Sequence, residues 1–245
     1  MRDGFKIIDT DAHMMEPESL WERYMEDAYK SQAPQIGKAP GSGRRAFLIE
    51  GESFVREKGK YPMAAPGFLK TVEKSMERFG KARNAGFSAE SRLDDMDAQG
   101  VDVQILFPTV TGQMLGREFR DPKLLAACCR AYNNWAADYV STMPYRLKWA
   151  AVLPMQDVEE AIKEAHRTAQ NGCVSYFVRP NPVRGRTIWS DDYLPLWNEV
   201  ERIGKPITTH DLASSSVPRL ETGWTRTSAA IFYPIPSRRW PQWRV

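Results

Sequence analysis

Short strand-like apolar runs alternate with helical patterns along most of this chain, and that alternation limits the fold more than any other feature. The strand-like runs are Phe5–Asp9, Val101–Phe107, Leu147–Leu153, Cys173–Val178 and Pro206–Thr209. A helical pattern with its own punctuation precedes each of the last four. Ser88 is placed to cap a helix carrying Leu93 and Met96 inward, with Gly100 as its stop. Asp121-Pro122 opens a second helix in cap-then-proline order, with Leu124, Cys128, Ala131, Trp135 and Tyr139 at helical spacing. Asp157 and Glu160 have the spacing of a capping box for a third helix, running through Ala161 and Ala165 to Gly172. Asp191 or Asp192 is expected to cap a fourth, with Leu196, Trp197, Val200 and Ile203 on one face and Gly204 at its end. Strict alternation implies a parallel α/β sheet with right-handed crossovers. An open doubly wound sheet competes with a barrel, but no G-x-G-x-x-G follows the first strand.

The stretch from about residue 20 to 87 is less regular and reads as an insertion after the first strand. Pro34, Gly37, Pro40, Gly41 and Gly43 mark it as loop. Ala46–Glu50 and Ser53–Glu57 look like a small hairpin around Gly51.

The chain has 245 residues, close to the roughly 250 of one (β/α)8 barrel. No run of about 18 apolar residues is present, so no helix is expected to span a membrane. The N-terminus lacks the apolar stretch of a signal peptide. Three cysteines, Cys128, Cys129 and Cys173, have no metal-type spacing and read as packing residues in a reduced, cytoplasmic setting. The net charge of +3 resides wholly in Arg238, Arg239 and Arg244 of the segment 227–245, which has no acid. The body sums to zero, which gives no electrostatic reason to expect nucleic acid or anionic lipid as a partner.

Of the three histidines, His166 falls mid-helix and reads as a surface residue, whereas His13 and His210 each follow a strand. That end of the strands is where parallel α/β folds place their active sites. Asp9, Asp11 and His13 share one parity, so an extended chain points all three the same way. Carboxylate and imidazole two residues apart suit zinc or manganese. Asp-x-Asp after a strand is also ordinary turn and cap chemistry, and by local pattern alone both readings stand. Glu16 is a further candidate ligand or acid/base group. Arg179 and Asn181 follow the fourth strand, and Arg179 is a candidate to hold a substrate carboxylate through its forked donors.

From about Phe5 to Arg226 the sequence resembles the amidohydrolase-related family that includes aminocarboxymuconate-semialdehyde decarboxylase. The matching pieces are IIDTDAHMMEP, RLDDMDAQGVDVQILFPT, AYNNWAADY, LPMQDVEEAIKEA, FVRPNPVRGR and the strand ending in TTH. Each is weak alone; their order and spacing together are specific. The resemblance implies a metal-dependent (β/α)8 TIM barrel holding one divalent metal, zinc or alternatively manganese. It implies Asp11, His13 and His210 as ligands, with Asp9 a buried or supporting acid. Many relatives have histidine where Asp11 stands, a departure that keeps a ligand and adds negative charge. Glu16 and Arg179 are the expected catalytic groups. The implied activity is non-oxidative decarboxylation, or hydrolysis of an ester, amide or lactone, on a small-molecule substrate. A homodimer is implied by the resemblance alone.

About five βα units precede the end of the resemblance, so residues 1–226 are expected to form a partial barrel. The family's His-Pro-x-Glu-x-Met element and last metal-binding Asp do not appear. Residues 227–245 are expected to be an aberrant tail read out of frame. Allowed codons for Pro234–Val245, read from the last base of the Pro234 codon, give HPVEAMAAMAG, which contains the missing element. A shift between Arg226 and Ala230 would account for this. The alternative expectation is a catalytically inactive fragment of such an enzyme.

Overall fold

The computed structural model describes residues 4–210 apart from 42, 44, 54–79 and 83. The tail 227–245, and with it the expected frame change, lies outside the described residues, as does the far end of the expected hairpin.

The elements in chain order are β1 (Ile8–His13), α1 (Leu20–Tyr24), β2 (Gln35–Lys38), β3 (Arg45–Ile49) and β4 (Glu52–Ser53), then α2 (Ala89–Gln99) and β5 (Val103–Phe107). They continue as α3 (Val110–Leu115), α4 (Pro122–Ser141), β6 (Leu147–Val152), α5 (Val158–Gln170), β7 (Ser175–Val178), α6 (Leu194–Ile203) and β8 (Ile207–Thr209). The main sheet has the order β1-β5-β6-β7-β8, and every neighbouring pair is parallel. Neighbours in space are thus neighbours in sequence, with no reversal. A doubly wound sheet requires such a reversal, so this is the sheet of an incomplete (β/α) barrel.

Most of the punctuation works as the sequence implies. Ser88 accepts the N–H of Ser91, and Gly100 closes α2 at φ 72°, in the left-handed region. Asp121 accepts from Lys123 N–H ahead of Pro122, and Asp157 accepts from Glu160 N–H. The Glu160 side chain turns instead to Arg130 and Lys163. The last helix departs from expectation. Asp191 and Asp192 lie in a 3₁₀ turn, Asp191–Tyr193, and α6 begins beyond them with Tyr193 at its cap and no side-chain cap bond. Pro195 in the first turn of α6 needs no N–H partner there, which removes one of the donors a cap serves.

The inserted stretch forms its own antiparallel sheet, β2-β3-β4. Glu50 and Gly51, both at positive φ, make the two-residue turn between β3 and β4. Strand β2 replaces part of the expected loop. Gly37 lies inside it, where a Cβ would sit 2.7 Å from Leu48 Cδ1. That glycine serves close approach, not a turn. The small sheet docks on the main body through its acids. Glu50 accepts the N–H groups of Arg120 and Asp121, and Glu52 pairs with Arg117 and Arg120.

The core lies between the main sheet and its helices. Leu106, Trp149, Tyr176 and Phe177 from the strands meet Leu124, Tyr132 and Val200 from the helices. The three cysteines are buried within it. Asn133 is a buried polar residue with its capacity spent. Its amide donates to Val152 O and Glu164 and accepts from Val152 N–H, which ties α4 to the end of β6 and to α5. His166 is half-buried and bridges α5 to Glu199 of α6 at 2.9 Å. No helix among the described residues is long and apolar enough to cross a membrane.

Candidate metal centre

Three donor atoms converge at the C-terminal edge of the main sheet. His13 Nε2 lies 3.3 Å from His210 Nε2. Asp11 Oδ1 lies 3.2 Å from His210 Nε2 and 3.8 Å from His13 Nε2. Two ligands about 2.0–2.1 Å from a tetrahedral zinc sit roughly 3.3 Å apart, so two edges of this triangle match one face of such a site and the third, Asp11 to His13, is longer. Among the described residues it is the one group of three acidic, histidine or cysteine side chains close enough to share an ion.

The surroundings select the atoms that face inward. His13 Nδ1 lies 3.0 Å from Pro108 O, which can only accept. The proton therefore sits on Nδ1, and Nε2 presents its lone pair. Burial, with His210 beside it, pushes the His13 pKa below 6.5, which favours the neutral ring that a metal needs. Asp11 is held below the usual carboxylate range, first by its hydrogen bond to His210 and then by the field of both histidines, against some burial. Phe107, packed against Phe177, lines the histidines from one side, with ring centroids 6.4 Å from His13 and 6.2 Å from His210.

Simple parity does not bring these ligands together. In β1 the pairing steps from Asp9↔Gln104 to Ala12↔Leu106, so the strand carries one extra residue between them. The bulge breaks the alternation that groups Asp9 with Asp11 and His13. Asp9 is left beside Gln104, which donates to its Oδ2 at 3.1 Å, while Asp9 Oδ1 accepts the N–H of Asp11 at 3.1 Å. Asp9 supports the ligand strand and stands outside the donor triangle.

Glu16 also stands outside it. Its buried carboxylate accepts three backbone N–H groups, from Thr109 (3.1 Å), Val110 (3.0 Å) and Thr111 (2.9 Å). It thereby caps α3, a helix with no signal of its own in the sequence. Burial raises its pKa, and the N–H donors pull the other way.

Arg179 is buried, with both terminal nitrogens bonded to the protein and Nε without a partner among the described residues. Nη1 reaches Leu115 O (3.0 Å) and Arg117 O (3.2 Å), and Nη2 reaches Pro182 O and Glu118. The arginine ties the β7 loop to the end of α3. Its neighbour Asn181 is also 6% exposed, and among the described residues neither of its amide atoms has a hydrogen-bond partner.

Two contributors escaped the sequence reading. Arg92 and Gln104 lie buried behind β1, where Arg92 Nη2 donates to His13 O at 2.6 Å and Nη1 to Gln104 Oε1 at 3.1 Å. The only sequence signals are an arginine inside an otherwise ordinary helix and a glutamine interrupting the apolar strand VDVQILF.

Comparison with known proteins gives one family and one fold. The family model described as Amidohydrolase matches residues 8–235, running past the boundary expected at residue 226. None of the curated proteins matches. Among solved structures, an amidohydrolase from Mycobacterium avium subsp. paratuberculosis K-10 is 21% identical with TM-score 0.66, over 86% of this chain and 60% of that one. A 5-carboxyvanillate decarboxylase from Novosphingobium aromaticivorans DSM 12444, with bound manganese and 3-methoxy-4-hydroxy-5-nitrobenzoic acid, is 19% identical with TM-score 0.56, over 87% and 53%. A 2,6-dihydroxybenzoate decarboxylase from Rhizobium is 20% identical with TM-score 0.50, over 89% and 52%. The chain thus spans between half and two thirds of the length of these structures.

Proposed function

Since the chain belongs to the amidohydrolase family, we propose that it carries the metal-binding half of an enzyme that decarboxylates or hydrolyses a small organic acid, ester or amide. The donor triangle of Asp11, His13 and His210 carries this reading. Two imidazoles and one carboxylate suit zinc, with manganese the alternative that the decarboxylase from Novosphingobium suggests. A divalent ion held there supplies Lewis-acid polarisation of a bound oxygen.

The chain's own residues arrange the rest. Pro108 O orients the His13 ring, and Asp11 stays ionised between the two histidines. Phe107, backed by Phe177, packs beside both histidines and gives the centre an apolar floor. Asn181, with an unspent buried amide, is the residue we assign to a polar substrate contact. Glu16 and Arg179 hold the rim in shape and are positioning residues. Loading the protein with zinc or manganese and assaying aromatic acids for CO2 release, beside aryl esters for hydrolysis, tests the reaction. CO2 release supports the lyase, ester cleavage the hydrolase. An inert loaded chain favours the second reading, an inactive portion of such an enzyme, for which the limited span of the solved relatives speaks.

A further inference from the structure

We infer that Arg92 is a positioning residue that clamps the bulge of β1 and so sets the spacing of Asp11 and His13, an inference that rests on the metal-centre reading. The bulge is the weak point of the site. An unpaired extra residue lets a strand bend and twist, and here it falls between Asp9 and Ala12, at the edge of the sheet among the described residues. The backbone on both sides of the bulge is held by one chain of hydrogen bonds. Arg92 Nη2 takes the carbonyl of His13 at 2.6 Å. Its Nη1 donates to Gln104 Oε1 at 3.1 Å, and Gln104 Nε2 donates onward to Asp9 Oδ2 at 3.1 Å. Asp9 Oδ1 then accepts the N–H of Asp11 at 3.1 Å. Both ends of the Gln104 amide are matched, which fixes its orientation. Arg92 is itself anchored, because Nε donates to Tyr139 OH at 3.1 Å and Tyr139 donates to Phe87 O at 2.9 Å.

One guanidinium from α2 therefore reaches the main chain of one ligand directly and of the other through two relays. Lysine lacks the planar fork and cannot make these bonds together. Partners that orient ligands in this way typically change metal affinity by about 10–100-fold when mutated.

The test uses the full chain and two readouts, one of them free of metal. Arg92→Lys and Gln104→Met each cut the relay. Tyr176→Phe is the control, since it removes a buried hydrogen bond to Ala165 O away from the site. In the metal-free protein, amide exchange at Asp11 should accelerate at least tenfold relative to that at Phe177 in both relay variants, and keep its wild-type ratio in Tyr176→Phe. Cobalt(II) affinity should fall about 10–100-fold in the relay variants and hold in the control. In the double variant the loss should match that of the weaker-binding single variant, because both substitutions break one relay. A wild-type Asp11 exchange ratio in Arg92→Lys and Gln104→Met, or equal losses of cobalt affinity in Tyr176→Phe, overturns the clamp. If the wild-type chain binds no cobalt, the metal centre is overturned, and the exchange ratio alone then decides the clamp.

Discussion

Replacing Glu16 with glutamine separates two roles that a carboxylate beside a metal centre can have. In the structure its Oε1 accepts Thr109 and Thr111 N–H, and its Oε2 accepts Val110 N–H. Glutamine of the same shape keeps one oxygen, which can retain the two-bond position. Its NH2 then faces Val110 N–H, donor against donor. An orphaned buried donor costs about 1–3 kcal/mol, and the two remaining bonds lose the strength that a charged acceptor gives them. The expected destabilisation is about 3 kcal/mol, or roughly 6–12 °C in the unfolding midpoint of a chain this size. Thermal and urea unfolding of Glu16→Gln against wild type measures it. Glu22→Gln, at an exposed carboxylate in the first turn of α1, serves as the near-neutral control. An unchanged midpoint in Glu16→Gln, together with loss of turnover in the loaded enzyme, would refute the capping role and restore an acid/base one.

Other outcomes follow from the same geometry. Arg179→Met should destabilise the chain by about 2–3 kcal/mol, because it orphans the carbonyls of Leu115 and Arg117; unfolding in urea checks this, and unchanged stability would return Arg179 to the substrate. The His13 ring should titrate below 6.5, since burial and His210 both disfavour its charged form; a midpoint at or above 6.5 in its ring-proton resonance contradicts the buried, neutral ligand. The three thiols should resist a thiol reagent in the folded chain and react on unfolding, because burial pushes Cys173 up to about 11 and holds Cys128 and Cys129 well above the usual thiol range. We also propose that residues 227–245 are read out of frame; resequencing the gene should show codons that yield HPVEAMAAMAG one base earlier, and codons that do not would end that proposal.

What could be read from the sequence was local. Caps and stops such as Ser88, Asp121, Asp157, Gly100 and Gly204 act within a few residues of themselves, and so do the spacings that mark strands and helices. His13 and His210 were visible because each lies at or just past the C-terminal end of a strand, and strand ends share one edge of a parallel sheet. What escaped depends on pairing across the chain. The β1 bulge exists only relative to β5, so parity wrongly grouped Asp9 with the ligands. Helix α3 holds β-branched residues and a glycine, poor helix formers, and is capped by Glu16 from more than ninety residues away. Gly37 looked like a turn because its contact, Leu48, lies on another strand. Arg92 and Gln104 show locally only as polar interruptions of a helix and a strand, since the partners that define their role sit on β1.

The most direct measurement is a cobalt(II) titration of the purified chain, followed in the visible region, beside Asp11→Ala, His13→Ala and His210→Ala. We expect one ion per chain with the absorption of a low-symmetry, nitrogen- and oxygen-ligated site, and loss of that signal in each of the three variants. No uptake by the wild-type chain, or uptake that survives all three substitutions, would contradict a metal centre built on Asp11, His13 and His210.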